Sequence, residues 1–355
     1  MAHYLVTGGS GFFGSVLKRR LLREGHTVFN IDLEADQDSL AGLHSIRGDI
    51  RDIALLDSIF RTNEFSAVFH CAAQLAHGMK LDERLLWSSN VDGTRLLAEA
   101  AHNAGIRPFI FISSNCLWAS NLGHPVNEDT DVPAPVEIYG RSKLEGEKLL
   151  QQFTADLDVV ILRCPTIMDS GRLGLLAILY EFIDDGKTVW VVGDGSNRYQ
   201  FIYAEDLATA CILSASYGRS DLFHIGSDNV ESMRSVYESV IHESVLRSNS
   251  TQRKVARVRS LPKAPTLAAM KLAYKLRVSP LGPYHYKMIA ESFVFDTTRI
   301  KQRLGWNPTL TNEEMLLLAY QYYSQNRAEI ATRTAVSAHS KPAAMGVIRL
   351  LKWLS

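Results

Sequence analysis

Tyr139 and Lys143 stand four residues apart in Tyr139-Gly140-Arg141-Ser142-Lys143, a spacing that sets both side chains on one face of a helix. A free phenol titrates at about pH 10, and a neighbouring ammonium stabilises its phenolate, which brings a tyrosine into range for general acid–base work. Such pairs also occur on ordinary solvated helix faces, so a second signal is needed. Ser113 and Ser114 supply it. They close the apolar run Phe109 to Ile112, which reads as a strand whose carboxyl end opens on the crevice of an open sheet. The expected chemistry is proton transfer at a carbinol or carbonyl oxygen.

A second cluster lies at the start of the chain, in Thr7-Gly8-Gly9-Ser10-Gly11-Phe12-Phe13-Gly14. It follows the strand-like run Tyr4-Leu5-Val6 and opens a helix from Gly14 to Arg23. In that setting Gly8 permits a tight turn, Gly11 a close backbone approach to a pyrophosphate, and Gly14 tight helix–sheet packing. The helix N-terminus offers N–H groups and the positive end of its dipole to phosphate. Asp32 ends the next strand, at the distance where an acid bonds the adenosine ribose hydroxyls. Its charge would repel a 2′-phosphate, and Leu33 and Glu34 follow rather than an arginine. These features predict NAD in preference to NADP.

The elements that must hold these residues can be read as a rhythm. Strands are expected at Thr27 to Ile31, Ala67 to His70, Phe109 to Ile112 and Val159 to Leu162. Helices are expected at Asn90 to Ala104 and Tyr139 to Phe153. Apolar strands alternating with helices predict an α/β fold with a parallel sheet covered on both faces. After Pro165 the rhythm changes to a helix from Leu173 to Asp184, a strand from Thr188 to Val192 and the turn-rich GDGSNRYQF. Phe223 to Gly226 reads as a strand returning to the first sheet.

With 355 residues, 46% hydrophobic and 21% charged, the composition is that of a globular enzyme. Thirty-eight Lys and Arg balance 38 Asp and Glu, which gives no reason to expect nucleic acid as a partner. Cys71, Cys116, Cys164 and Cys211 form no metal-ligand or disulfide pattern, so no metal is expected and a reducing cytoplasm fits. No apolar run approaches the ~18 residues of a transmembrane helix. His70, at a strand end, is expected to be structural.

Taken together these motifs resemble the extended short-chain dehydrogenase/reductase superfamily, the NAD-dependent epimerases and dehydratases. The glycine loop, Asp32, Gly48-Asp49-Ile50, His70-Cys71-Ala72-Ala73, Asn90-Val91-Asp92-Gly93-Thr94, Ser113-Ser114, the Tyr139–Lys143 pair and Arg163-Cys164-Pro165 follow in that family's order and spacing. Asp296 and Leu304-Gly305-Trp306-Asn307-Pro308 resemble its C-terminal signature. The resemblance implies a doubly wound parallel sheet of the Rossmann type over residues 1–165, with residues 200–230 returning to it. It also implies a smaller C-terminal substrate-capping part over 166–330, and residues 331–355 are left as a tail. It implies that Gly8, Gly11, Phe12, Phe13 and Gly14 cradle NAD, that Asp49 and Ile50 meet the adenine, and that Ala72 and Ala73 line the cofactor. Asn90 would support the cofactor and the active-site geometry, Lys143 would also hold the nicotinamide ribose, and Pro165 would border the nicotinamide. Ser114 would hydrogen-bond the reacting oxygen, with Asn115, Thr166, Arg198 and Tyr199 at the substrate. A homodimer paired through helices of the first domain is a further implication.

Three departures from the family pattern bear on substrate. Leu117-Trp118-Ala119 replaces the usual Val-Tyr-Gly, and Tyr199 stands where many nucleotide-sugar members carry a diphosphate-binding arginine. Arg198 is adjacent, but neighbours in a strand face opposite ways. Leu261 to Ser292 is long and apolar, like the cap of sterol and flavonol reductases. Two substrates are therefore expected in turn: a small-molecule nucleotide sugar, for an epimerase or 4-ketoreductase, or a bulky apolar alcohol, for a hydroxysteroid-dehydrogenase-like or flavonol-reductase-like enzyme. Arg172, Arg198 and the stretch Arg253 to Arg259 are the candidate diphosphate partners. In the tail, Met345, Val347, Ile348, Leu350, Leu351, Trp353 and Leu354 beside Arg349 and Lys352 suggest a short amphipathic helix.

Overall fold

Alternating apolar strands and amphipathic helices organise the first 164 residues. They run as β1 (His3–Thr7), α1 (Phe12–Arg23), β2 (Thr27–Asp32), β3 (Leu43–Arg47), α2 (Ile53–Thr62), β4 (Ala67–His70), α3 (Glu83–Trp87), α4 (Gly93–Asn103), β5 (Pro108–Ser114), α5 (Ile138–Gln151) and β6 (Asp158–Cys164). There follow β7 (Thr166–Met168), α6 (Leu176–Asp184), β8 (Thr188–Val192), β9 (Phe201–Tyr203), α7 (Ala204–Ala215), β10 (Asp221–His224), α8 (Met233–Leu246), β11 (Arg257–Leu261) and α9 (Lys263–Lys275). Two more helices, Thr298–Leu304 and Asn312–Thr332, follow among the described residues. This computed structural model describes all residues except 77–80, 119–120, 247–253, 277, 279–281, 283–284, 286–288, 334–341 and 343–355. Ala119, nine residues of the expected cap Leu261 to Ser292 and nearly all of the tail thus lie outside the described residues.

Seven strands form one sheet in the order β10-β6-β5-β4-β1-β2-β3, and every neighbouring pair is parallel. The chain winds outward from β1 to β3, then crosses to β4 and winds outward the other way. Order therefore reverses between β1 and β4, and a crevice opens at their carboxyl ends. Successive residues of one strand feed opposite cores. Ile110, Ile112, Val160 and Leu162 pack on the side of α1 and α7. Phe109, Phe111, Val159 and Ile161 pack on the side of α2, α4 and α5.

The strand expected at Phe223 to Gly226 runs instead from Asp221 to His224, beside β6. Gly226 lies beyond it, against the Gln200 side chain, which a Cβ there would meet at 2.2 Å. A separate core of Met168, Leu173, Tyr180, Val236, Met315, Leu316 and Tyr320 joins α6, α8 and the long last helix. That helix starts with a capping box between Thr311 and Glu314. Two parallel strand pairs, β7–β9 and β8–β11, extend this region over the crevice.

Candidate active site

Backbone geometry shapes the first wall of the crevice. Gly8 turns the chain with a φ of +75°, and a Cβ there would meet the Ala72 backbone at 2.7 Å. A Cβ on Gly14 would lie 2.1 Å from the Gly8 carbonyl oxygen. No side chain caps α1 and no acid sits in its first turn, so its N-terminus is left for an anion. Asp32 bonds the Ser10 and Glu34 amides at 2.9 and 3.0 Å, and Asn30 bonds the Gly9 amide at 2.8 Å. Behind them buried Lys18 pairs with Asp36 at 2.6 Å and Asp38 at 2.9 Å, so the loop after β2 is pinned. Gly11, Phe12, Phe13, Asp32, Asp49, Ile50, Ala72, Ala73 and Pro165 all line one open cleft of about 2700 Å³. Asp49 is ion-paired with Arg51, which holds its carboxyl below the usual range. A tight glycine cradle, an open helix N-terminus and an acid at the end of β2 fit a dinucleotide without a 2′-phosphate.

Ser114, Tyr139 and Lys143 line the same cleft. Ser114 ends β5 in register with Cys164 at the end of β6. Its Oγ accepts the Cys116 amide at 3.1 Å, which leaves the hydroxyl proton for another acceptor. Gly140 lets α5 pack directly on the turn Asn115–Leu117, for a Cβ would lie 2.2 Å from the Cys116 carbonyl oxygen. Tyr139 is thereby brought beside that turn. Burial raises the Tyr139 hydroxyl above a free phenol, the reverse of the direction expected from a neighbouring ammonium alone. Lys143 is itself buried, which pushes it down to about 8, and its Nζ sits 4.0 Å over the Phe111 ring. Desolvation opposes both charged forms, so the protein alone leaves the phenolate unfavourable.

A buried ionic network supports this trio, and the sequence reading passed over its anchor. Glu147 continues the four-residue step from Tyr139 and Lys143, and that spacing was its signal. It bonds Ser113 and pairs with Arg163 at 2.6 Å. Arg163 also meets His224 at 3.4 Å, and Nδ1 of His224 bonds the Val126 carbonyl. His70 is structural in the same sense, buried between the hydroxyls of Thr7 and Thr94 and pushed down to about 3.

The other expected site residues divide into those in the cleft and those behind it. Asn90 lies in a π turn, Ser88–Asp92, that precedes α4. It holds both backbone groups of Gln74 and bonds Ser142, so it braces the cleft without lining it. Asn115 and Thr166 line the cleft. Tyr199 is buried behind them, its hydroxyl 2.7 Å from Asn115 Nδ2 and 3.4 Å from Thr166 Oγ1. Arg198 is exposed and outside the cleft, as strand alternation requires. Arg172 does line it, 5.5 Å from the Phe12 ring centroid, and Arg19, Arg23 and Arg333 border the cleft as well. Asp169 lies nearby, and burial pushes its carboxyl up to about 6. The far wall is apolar, with Leu175, Leu179, Phe182, Trp190 and Met270. Among the described residues no cluster of His, Cys, Asp and Glu could hold a metal, and no helix is long and apolar enough to cross a membrane.

Comparison with known proteins agrees with this geometry. The model of the "NAD dependent epimerase/dehydratase family" matches residues 4–226. The protein y4nG of Sinorhizobium fredii, itself uncharacterized, is 34% identical over 98% of this chain and 85% of its own length. A UDP-glucose 4-epimerase of Mycolicibacterium smegmatis is 27% identical over 90% of this chain and 97% of its own. Among solved structures, WbmG of Bordetella bronchiseptica in complex with NAD superposes with a TM-score of 0.72 at 23% identity, covering 91% of this chain and 94% of that one. The chain is therefore an enzyme of the NAD-dependent epimerase/dehydratase family, within the extended short-chain dehydrogenase/reductases, and its cofactor is NAD.

Proposed function

We propose that this enzyme moves a hydride at a secondary alcohol or ketone carbon of a nucleotide sugar, as an epimerase or 4-ketoreductase. The observation that carries the reading is convergence: Ser114, Tyr139 and Lys143 share one cleft with the glycine cradle and with Arg172, which stands beside Phe12 of that cradle. NAD, when bound, supplies the carbon that takes up or returns the hydride. Tyr139 takes the proton from the carbinol oxygen, or gives it to the carbonyl oxygen, at its phenol O. Ser114 directs its free hydroxyl proton at that same oxygen. Lys143 keeps a positive charge beside the phenol and favours its ionised form, working against the desolvation that raises it. The similarity to a UDP-glucose 4-epimerase over nearly the whole chain supports a nucleotide sugar.

The apolar far wall supports a second reading, a bulky apolar alcohol handled by the same three residues. Titrating UDP and dTDP, and separately a sterol, into the NAD-loaded protein distinguishes the two. Saturable UDP or dTDP binding is expected. Sterol binding without it would overturn the sugar reading. A diphosphate held by Arg172 predicts that Arg172→Gln raises KM by about 10- to 100-fold with kcat little changed, while Arg198→Gln does nothing.

A further inference from the structure

Between Glu243 and Glu291 the sequence holds ten lysines and arginines and no acid. The whole chain is neutral, so the rest carries an excess of ten acids and this segment carries the balancing basic charge. α9 occupies the middle of it and buries none of its residues. Within seven positions Leu272 is 58% exposed, Tyr274 47%, Leu276 62% and Val278 48%. Single exposed apolar residues are ordinary, but Leu272 and Leu276 stand one turn apart at the C-terminal end of α9 and together make one apolar edge, a surface that is covered in use.

The arrangement around the helix says what covers it. Pro265, Thr266, Ala269, Met270 and Ala273 face the cleft. At 100° per residue, Leu272 and Leu276 fall at the edge of that face, and Lys271 and Lys275 fall just beyond them. Both lysines are exposed, and among the described residues neither is ion-paired. An apolar edge bordered by lysines, whose stems can lie along it while the ammoniums reach outward, is the pattern of a helix lying in a lipid interface. A second copy pairing through the same edge would bring Lys271 and Lys275 against their own counterparts, which charge repulsion opposes.

We propose that α9 docks this enzyme on an anionic bilayer surface, with Leu272 and Leu276 among the headgroups and Lys271 and Lys275 against the lipid phosphates. This goes beyond the reaction and stands whichever substrate the cleft takes. The full chain would be sedimented with vesicles of phosphatidylcholine alone and of phosphatidylcholine mixed with phosphatidylglycerol. Pelleting is expected only with the mixed vesicles. Lys271→Gln with Lys275→Gln should weaken it by about 25-fold, about fivefold for each lysine. Leu272→Ser with Leu276→Ser should abolish it, while NAD binding, the check on folding, stays unchanged in both. A chain ending at Ser340 should still pellet. Failure of the wild type to pellet would overturn the proposal, as would pelleting indifferent to the α9 substitutions. So would light scattering that shows a dimer dissociated by them, because α9 would then be a contact between copies.

Discussion

The cofactor half and the cap of this enzyme are built by opposite means. In the first, polar side chains are buried and bonded: Lys18 to Asp36, Asn30 to the glycine loop, Asn90 to Gln74 and Ser142, Glu147 to Arg163. In the second, apolar side chains surround open space, and α9 buries nothing. Buried polar networks are costly unless complete, and once complete they fix atoms in place. Loose apolar walls adapt to shape instead. In the proposed function the chemistry falls to the first half and the choice of substrate to the second.

The contrast can be broken at its strongest point. Glu147→Ala leaves Arg163 buried without its partner and should cost about 3–5 kcal/mol, seen as a large fall in the denaturant midpoint. Met270→Ala, on the cleft face of α9, should stay within about 0.5 kcal/mol. Comparable losses from both would mean the cap is as rigid as the sheet.

In its proposed role, buried Lys143 would trade stability of the rigid half for function. Its ammonium is depressed from 10.5 to about 8 by burial, so below about pH 8 the folded state carries the full cost of that buried charge. Between about 8 and 10.5 the folded protein loses the proton before the unfolded chain does, and the cost is relieved as pH rises. Lys143→Met should therefore stabilise the protein by up to about 3 kcal/mol at pH 7, with the gain shrinking toward pH 10.5 and turnover lost. A variant less stable than wild type at pH 7 would contradict this account. A smaller change is expected at the cofactor. Asp32→Ala with Leu33→Arg should weaken NAD and improve NADP by about tenfold each, measured as Kd, because a repelling charge is replaced by a phosphate partner.

The parts legible in the sequence were those that sit within a few residues of one another. The glycine loop, Asp32, Ser114 and the Tyr139–Lys143 step each announce themselves locally, and alternation correctly set Tyr199 and Arg198 on opposite faces. Contacts across long sequence separations gave no such signal. Tyr199 meets Asn115 across 84 positions, and no local pattern marks that bond. α7 escaped notice because it is alanine-rich and buried on most sides, which weakens helical periodicity. The direction of the Tyr139 shift was missed because a sequence displays neighbouring charges but not desolvation. The amphipathic tail reading falls on residues outside those described.

The most direct test of the account is Tyr139→Phe, which removes one oxygen and keeps the ring. With the substrate found by the titrations above, kcat should fall by about 10²- to 10⁴-fold while the Kd for NAD holds, since the backbone cradle and Asp32 are untouched. A variant that turns over at close to the wild-type rate with NAD still bound would show that Tyr139 is not the proton-transfer group, and the proposed chemistry would be wrong.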